Sequence, residues 1–301
     1  MVPKSLLTTI CKPPNVLTSY QKPTISTTAI MVKLSDIQGG DWAEMAKIYK
    51  KLTAEISSRP IGVMLEKTNA LLPFSEANGI HDNGCGPGPV ISRIIADYGA
   101  VLPQSCDLSA SDFAEAMLAQ VRHTKKEQID RNPETPWARV DVSLLDAMDL
   151  QGISDGSKSH VTAAESLRVL KSGGVLACSS WQESQWLDLM NLVREVRPEA
   201  PVPEIPMGWR CAKELFIEVE RAGFQQVDAV EVDVTMAFES HDALLDMLTT
   251  KMPHMVKLLG SWSEEEVQRL RSIMTDQLRE MCPEEPGRLT GVALVAVGRK
   301  A

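Results

Sequence analysis

Cysteine is scarce and scattered in this chain of 301 residues, which has six of them. They stand at positions 11, 85, 106, 178, 211 and 282, with no C-x-x-C pair and no close grouping with histidine. A structural zinc site needs a compact set of sulfur and nitrogen ligands. The sequence therefore predicts reduced thiols and no bound metal.

Long apolar runs and a surplus of basic residues are also lacking. The strongly apolar run Gly291–Gly298 is far shorter than the roughly 20 residues that span a bilayer. With 31 basic and 40 acidic residues the net charge is −9, so polyanions are repelled. Neither a membrane nor a nucleic acid is expected as a partner.

Aromatic residues make up only 5% of the chain, but 44% hydrophobic and 24% charged residues are typical of a globular protein. This composition excludes collagen-like, wholly disordered and disulfide-scaffold classes. Residues 1–35 contain no acid, as transit peptides do, but also no arginine, which argues against one. The early apolar run is short and is interrupted by Lys12, Pro13 and Pro14, so a secretory signal also fits poorly. We expect a flexible N-terminal arm on a cytoplasmic protein.

Short apolar runs alternate with helix-like segments from Gly79 onward, which predicts a parallel sheet covered by helices. Residues 36–75 have helical apolar spacing, interrupted at Pro60. Residues 240–283 have it too, and form a helical insert with a Met-rich face before the last strand. The strand-like runs are Gly79–Asn83, Val101–Cys106, Val140–Leu144, Val175–Ser179, Val227–Val234 and Leu289–Val297.

A glycine-rich stretch follows the first strand-like run and opens a helix, the context that gives such a loop meaning. It places Asp82 before three glycines at alternate positions, Gly84, Gly86 and Gly88. A dinucleotide-binding loop would need a glycine where Pro89 stands. The spacing D-x-G-x-G-x-G therefore argues against a nicotinamide dehydrogenase.

This motif resembles that of the class I S-adenosylmethionine-dependent methyltransferases, in particular the small-molecule methyltransferases of fungal secondary metabolism. The resemblance implies that Gly84, Gly86 and Gly88 form the loop that binds the cofactor. It implies that Asp82 acts through this loop or on the amino group of the cofactor, with a role in holding backbone amides as the alternative. It also implies that Asp107, with Leu108, ends the second strand and binds the ribose hydroxyls, and that Asp146 and Ala147 flank the adenine.

The resemblance covers roughly residues 78–300 and implies an α/β fold with a Rossmann-like class I methyltransferase sheet. The sheet is expected to be mostly parallel with an antiparallel last strand. A flexible arm (1–35) and an N-terminal helical lid (36–75) would precede a methyltransferase domain (76–301) that contains a helical cap insert (240–283).

One departure from the family pattern follows the fourth strand. Thr162 runs directly into Ala163, where the family has a loop facing the methyl group. Three explanations compete: residues missing from the numbered sequence, a truncated gene product, or remodelling for another activity. His160 is nearest the expected methyl site and is the candidate proton acceptor, although a lone histidine at a strand end is more often structural. Trp181, Trp209 and Tyr49 are candidates for a substrate pocket.

These observations predict methyl transfer from S-adenosylmethionine to a small acceptor, with oxygen favoured over nitrogen, carbon or sulfur. Two other functions stay open, because a fold does not determine chemistry. One is a pericyclase or isomerase built on the same fold, and the other is a noncatalytic partner subunit. Exposed apolar faces on the leading helices allow a homodimer.

Overall fold

The structure is a computed structural model that describes residues 37–43, 45, 46, 48, 50, 55–162, 166–202 and 208–301. The predicted N-terminal arm, Tyr49 and the step from Thr162 to Ala163 lie outside these residues.

Seven strands form one sheet in the order β3-β2-β1-β4-β5-β7-β6. All neighbouring pairs are parallel except those of β7, which is antiparallel to both β5 and β6. The predicted class I sheet with an antiparallel last strand is thus confirmed. The carboxyl ends of β1 to β6 consequently meet at one edge. The strands are β1 (Gly79–Asn83), β2 (Asp107–Asp112), β3 (Val140–Leu144), β4 (Lys158–Thr162), β5 (Leu170–Ser184), β6 (Phe224–Phe238) and β7 (Gly287–Lys300).

Helices cover both faces of the sheet. They are α1 (Ser58–Leu71), α2 (Pro89–Tyr98), α3 (Glu115–Arg131), α4 (Ser166–Val169), α5 (Gln185–Asn191), α6 (Ala212–Arg221), α7 (His241–Thr250), α8 (Pro253–Leu259) and α9 (Glu264–Met281). Short 3-10 helices span Gly39–Trp42, Phe74–Glu76, Pro136–Arg139 and Leu192–Glu195.

Successive side chains of β7 pack alternately on the two faces of the sheet. Val295 and Val297 pack in the cluster formed with α1, α2 and α3. Leu294 and Ala296 pack in the cluster that contains α6. Successive side chains of a strand point to opposite faces, so both sides of this central sheet are buried.

The second strand was predicted wrongly at Val101–Cys106, because it starts only at Asp107. Pro103 interrupts the predicted run and lacks the amide proton that a ladder needs. The sequence of the true β2 is polar, but its two serines are buried and make hydrogen bonds with His81 of β1. Ser109 Oγ lies 3.0 Å from His81 Nδ1, and Ser111 Oγ lies 3.1 Å from His81 Nε2.

Helix α1, in the region of the predicted lid, packs on the sheet, and its Ser58 and Ile61 also line a cavity beside Pro87 and Gly88 of the glycine-rich loop. Its buried residues include Ile61, Met64 and Leu65, which belong to the core cluster of the sheet. Pro60 lies in the first turn of α1, where its missing amide proton costs nothing, so it marks a helix start.

The helical insert before the last strand consists of α7, α8 and α9. A capping box begins α9: Ser263 Oγ accepts from the Glu266 amide, and Glu266 Oε2 accepts from the Ser263 amide. Arg197 binds the same Glu266 carboxylate at 2.7 Å. The insert, with α5, encloses its own apolar cluster beside the sheet.

Candidate functional site

The glycine-rich loop follows the carboxyl end of β1 in a left-handed backbone conformation. Gly84, Gly86 and Gly88 have φ values of 64°, 52° and 87°. A side-chain carbon on Gly88 would lie 3.1 Å from Val121 of α3, whereas one on Gly86 would meet nothing within 4 Å. The loop is therefore packed tightly on its α3 side and open above Gly86.

Asp82 lies beneath this loop and is buried. Its Oδ1 accepts from Thr162 Oγ1 at 2.8 Å, and its Oδ2 accepts from the Ile91 amide at 3.0 Å. Burial raises the pKa of Asp82 to about 6, although both hydrogen bonds oppose that shift. Its carboxylate ties β4 and α2 to β1 and so sets the position of the loop.

The carboxylate at the end of β2 belongs to Asp112. Its Oδ2 accepts from the Gly86 amide at 2.8 Å and its Oδ1 accepts from the Ala114 amide at 2.9 Å. Burial raises its pKa above the ordinary value, and backbone hydrogen bonds counteract that effect. Sequence analysis missed Asp112 because it placed β2 six residues too early.

Asp107 and Leu108 do not lie where the resemblance placed them. Asp107 begins β2, pairs with Gly79 at the amino end of β1 and forms an ion pair with Lys158. Leu108 is completely buried in the sheet beside Ile80. Both predicted positions are wrong, because the strand extends away from them toward the loop.

The turn at Asp146 and Ala147 does lie against the glycine-rich loop. Asn83 Nδ2 donates to the Ala147 carbonyl at 3.0 Å, and a side-chain carbon on Gly84 would lie 3.9 Å from Ala147 Cβ. Asp146 Oδ1 accepts from the Met148 amide at 2.9 Å, which closes the turn. The first strand and this turn thus frame one edge of the site.

Three large apolar side chains are exposed at the same edge. Phe113 follows β2 and is 44% exposed, Leu144 ends β3 and is 56% exposed, and Met148 in the adjacent turn is 70% exposed. Exposed apolar groups beside a polar loop indicate a binding surface. With the nearby Asp112 carboxylate they fit a flat ring that carries a hydroxylated sugar.

The described part of the segment before α1 approaches this edge from outside. A side-chain carbon on Gly39 would lie 2.3 Å from the Phe113 carbonyl oxygen, so the two backbones touch. Ala46 packs with Ala114 and Met117 at the start of α3. This segment therefore covers the end of β2.

His160 does not reach the site, and its candidacy as the proton acceptor is wrong. It pairs with Ile80 in the amino half of the sheet. Its Nε2 donates to the Leu72 carbonyl at 2.9 Å, its Nδ1 lies 2.8 Å from Ser159 Oγ, and its ring stacks on Phe74. Burial lowers the pKa of His160 to about 4.

The candidate pocket aromatics are engaged in packing where they are described. Trp181 makes an edge-on contact with Trp186 at 5.3 Å between ring centroids. Trp209 packs against the cluster that contains Leu215 of α6.

A cavity of about 360 Å³ lies at the carboxyl end of β6, the edge of the sheet that also holds the glycine-rich loop. Met247 of the insert lines it together with Met236 of β6. The cavity is lined by the apolar Ile48, Met236, Ala237, Phe238, Ala243, Leu244 and Met247 and by the charged Glu55, Glu239, Asp246 and Lys251.

No family model matches the chain, but a curated relative shows its family. It is 32% identical to Methyltransferase ucsB from Acremonium sp over 272 residues, which cover 86% of this chain and 94% of that protein. The chain belongs to the class I S-adenosylmethionine-dependent methyltransferases. This methyltransferase has the strand order and the glycine-rich loop described above.

More distant relatives of the methyltransferase are also fungal. It is 24% identical to the acetylaranotin bis-thiomethyltransferase of Aspergillus terreus, with 74% of this chain and 80% of that protein covered. It is 25% identical to Methyltransferase tpcH of Aspergillus fumigatus, with 73% and 84% covered.

The methyltransferase uses S-adenosylmethionine as its methyl donor. Among the described residues, no helix is long and apolar enough to cross a membrane. In the same residues, no three or more His, Cys, Asp or Glu side chains cluster as metal ligands.

Proposed function

We propose that this methyltransferase transfers the methyl group of S-adenosylmethionine to an oxygen atom of a small, largely apolar acceptor of fungal secondary metabolism. The observation that carries the proposal is the juxtaposition at one sheet edge of the open loop at Gly86, the Asp112 carboxylate and an apolar cavity.

Each part of the edge suits one part of the donor. The left-handed loop from Gly84 to Gly88 lets backbone approach the ligand closely. Asp112 replaces Asp107 as the acid for the ribose hydroxyls, because carboxylate oxygens accept hydrogen bonds from both. Phe113, Leu144 and Met148 would pack on the adenine, with the turn at Asp146 and Ala147 beside it.

The donor brings an electrophilic methyl group on a sulfonium sulfur. The protein therefore has to bind the donor, align the acceptor with the methyl group and exclude water. Asp82 fixes the loop on which alignment depends. The segment around Gly39 covers the edge next to Phe113. The apolar lining of the cavity would remove water from the acceptor.

Sulfur is the second candidate for the accepting atom, because one relative carries the name bis-thiomethyltransferase. The relationship to proteins named as methyltransferases favours methyl transfer over rearrangement or a noncatalytic role. A cytoplasmic location and a homodimer stay predictions from the sequence.

The test is transfer of a labelled methyl group from S-adenosylmethionine to a panel of phenols, enols and aryl thiols, with products identified by mass spectrometry. We expect methyl ethers as the main products. Methyl thioethers alone would favour the sulfur alternative. A folded protein that binds the cofactor but labels no acceptor would contradict transfer to either class.

A further inference from the structure

The segment before α1 contacts both parts of the proposed site. Its described residues lie between positions 37 and 57. On the donor side, the backbone of Gly39 touches the carbonyl of Phe113, which is exposed at the donor edge. On the acceptor side, Ile48 and Glu55 line the cavity at the end of β6. One segment therefore forms part of the wall of both places.

The contact of Gly39 with the donor edge is made by backbone on both sides. A side-chain carbon on Gly39 would lie 2.3 Å from the Phe113 carbonyl oxygen and 3.1 Å from Ala114 Cα. Backbone atoms cannot rotate away as the end of a flexible side chain can, so an alanine at this position must displace the segment from the edge. Gly40 differs, because a side-chain carbon there would meet no atom of the described residues within 4 Å.

Two further contacts hold the segment against α3. Ala46 packs with Met117, and Lys50 Nζ donates to Thr124 Oγ1 at 2.8 Å. Lys50 also lines the cavity of about 300 Å³ beside the glycine-rich loop. Ile48 stands between Ala46 and Lys50 in the sequence. Its place in the wall of the acceptor cavity therefore depends on how the segment lies on the donor side.

The same segment also contacts the cap. Asp41 shares the 3-10 helix Gly39–Trp42 with Gly39, and its Oδ2 lies 3.9 Å from Lys257 Nζ of α8. Both side chains of this ion pair are 40% exposed, so the pair contributes little energy by itself. The backbone contact at Gly39 is thus the closer constraint on the position of the segment.

These contacts give a physical reason for the two ligands to affect each other. A donor that packs on Phe113 would favour the docked position of the segment, because the segment covers the same edge. The docked position supplies Ile48 and Glu55 to the acceptor cavity. Two ligands that favour one arrangement of the same segment bind cooperatively, and each raises the affinity of the other by the same factor.

We propose, on the basis of the proposed methyl transfer, that Gly39 is a positioning residue for the acceptor. Its docking on the Phe113 carbonyl holds Ile48 and Glu55 in the wall of the acceptor cavity. Bound donor stabilises this docking, so the acceptor binds tightly only when the donor is present. Gly39 acts through the cavity wall and not on the reacting atoms.

The experiment measures the affinity for 2-naphthol, a flat apolar phenol, by equilibrium dialysis with and without saturating S-adenosylhomocysteine. The proteins are the full chain, Gly39→Ala and the matched control Gly40→Ala, and urea unfolding checks that each is folded. Coupling between two sites is typically about 5- to 150-fold in affinity. We expect S-adenosylhomocysteine to raise the affinity of the full chain and of Gly40→Ala for 2-naphthol about fivefold or more. Gly39→Ala should lose this increase.

Transfer of a labelled methyl group to 2-naphthol provides the second readout. Gly39→Ala should raise the KM for 2-naphthol about fivefold or more with a much smaller change in kcat, because it removes binding of the acceptor and not stabilisation of the transition state. A general structural defect would lower kcat as well.

Three results would overturn the proposal: equal coupling in Gly39→Ala and the full chain, equal loss of coupling in Gly40→Ala, and absence of coupling or of 2-naphthol binding in the full chain. The third needs no variant, so the test is decisive even if Gly39→Ala does not fold. Coupled binding of both ligands without any methyl transfer would instead contradict the proposed function and support the positioning role of Gly39.

Discussion

The carboxylate of Asp112 at the end of β2 accepts a hydrogen bond from the backbone amide of Gly86 at 2.8 Å. This contact joins the glycine-rich loop that follows β1 to the end of the adjacent parallel strand β2. It fixes the middle of the loop and places an acid beside it. The site therefore depends on Asp112 in two ways, because its hydrogen bond fixes the shape of the loop and its carboxylate brings a negative charge to the site.

Gly86 and Gly88 should respond differently to replacement by alanine. Both have positive φ angles, which cost an alanine about 1–2 kcal/mol. Gly88→Ala adds a contact of 3.1 Å with the fully buried Val121, whereas Gly86→Ala adds a methyl group in open space. We expect Gly88→Ala to unfold at lower urea concentration than Gly86→Ala. Equal midpoints would contradict the tight packing at Gly88.

Gly86→Ala should weaken cofactor binding strongly while it lowers the free energy of unfolding only slightly. The reason is that its methyl group projects into the space where the donor is expected. Isothermal titration with S-adenosylhomocysteine measures this directly. An affinity equal to that of the unchanged protein would show that the ligand does not approach Gly86.

His160→Gln should leave methyl transfer intact and change the pH dependence of stability. The pKa of His160 is about 4 in the folded protein, against an ordinary value of 6.5, so the unfolded chain binds more protons between these pH values. The lowered pKa of His160 corresponds to about 3 kcal/mol in the free energy of unfolding. This stability is present above pH 6.5 and is lost as the pH falls to about 4. Urea unfolding across this range should show a flatter profile in the variant. A large loss of methyl transfer in a folded variant would restore His160 as a catalytic candidate.

Asp82→Asn should change the profile in the opposite direction. The folded pKa of Asp82, about 6, lies above its ordinary 3.8, so the folded protein binds the extra proton. This contribution is present below about pH 4 and is lost as the pH rises through 6. The variant should therefore gain stability relative to the unchanged protein between pH 4 and 6. A constant difference in unfolding free energy across that range would contradict the raised pKa.

The sequence located the loop but misplaced its neighbouring strand, for a physical reason. Glycines at Gly84, Gly86 and Gly88 are a local signal, since the chain there needs positive φ. The polar β2 is a strand because His81 of β1 pairs with Ser109 and Ser111, a contact that no local pattern contains. Apolar content alone therefore favoured a strand at Val101–Cys106, the turn that precedes β2.

The role of His160 and the cavity were equally hard to predict. The burial of His160 depends on the Leu72 carbonyl, which lies 88 positions away in the chain. The cavity joins Ile48 to Met236 and Met247, which come from three separate segments. Apolar helical spacing predicted the cap helices themselves, but not which of their residues would line a pocket.

The most direct test of the donor site is calorimetric titration with S-adenosylhomocysteine of the unchanged protein, Asp112→Asn and Asp107→Asn. Asp112→Asn removes the charge and one of two hydrogen bonds to backbone amides, so its affinity should fall about tenfold or more. Asp107→Asn changes an acid at the opposite end of β2 and should bind like the unchanged protein. Loss of binding in Asp107→Asn with normal binding in Asp112→Asn would contradict the assignment of the donor site to the carboxyl edge of the sheet.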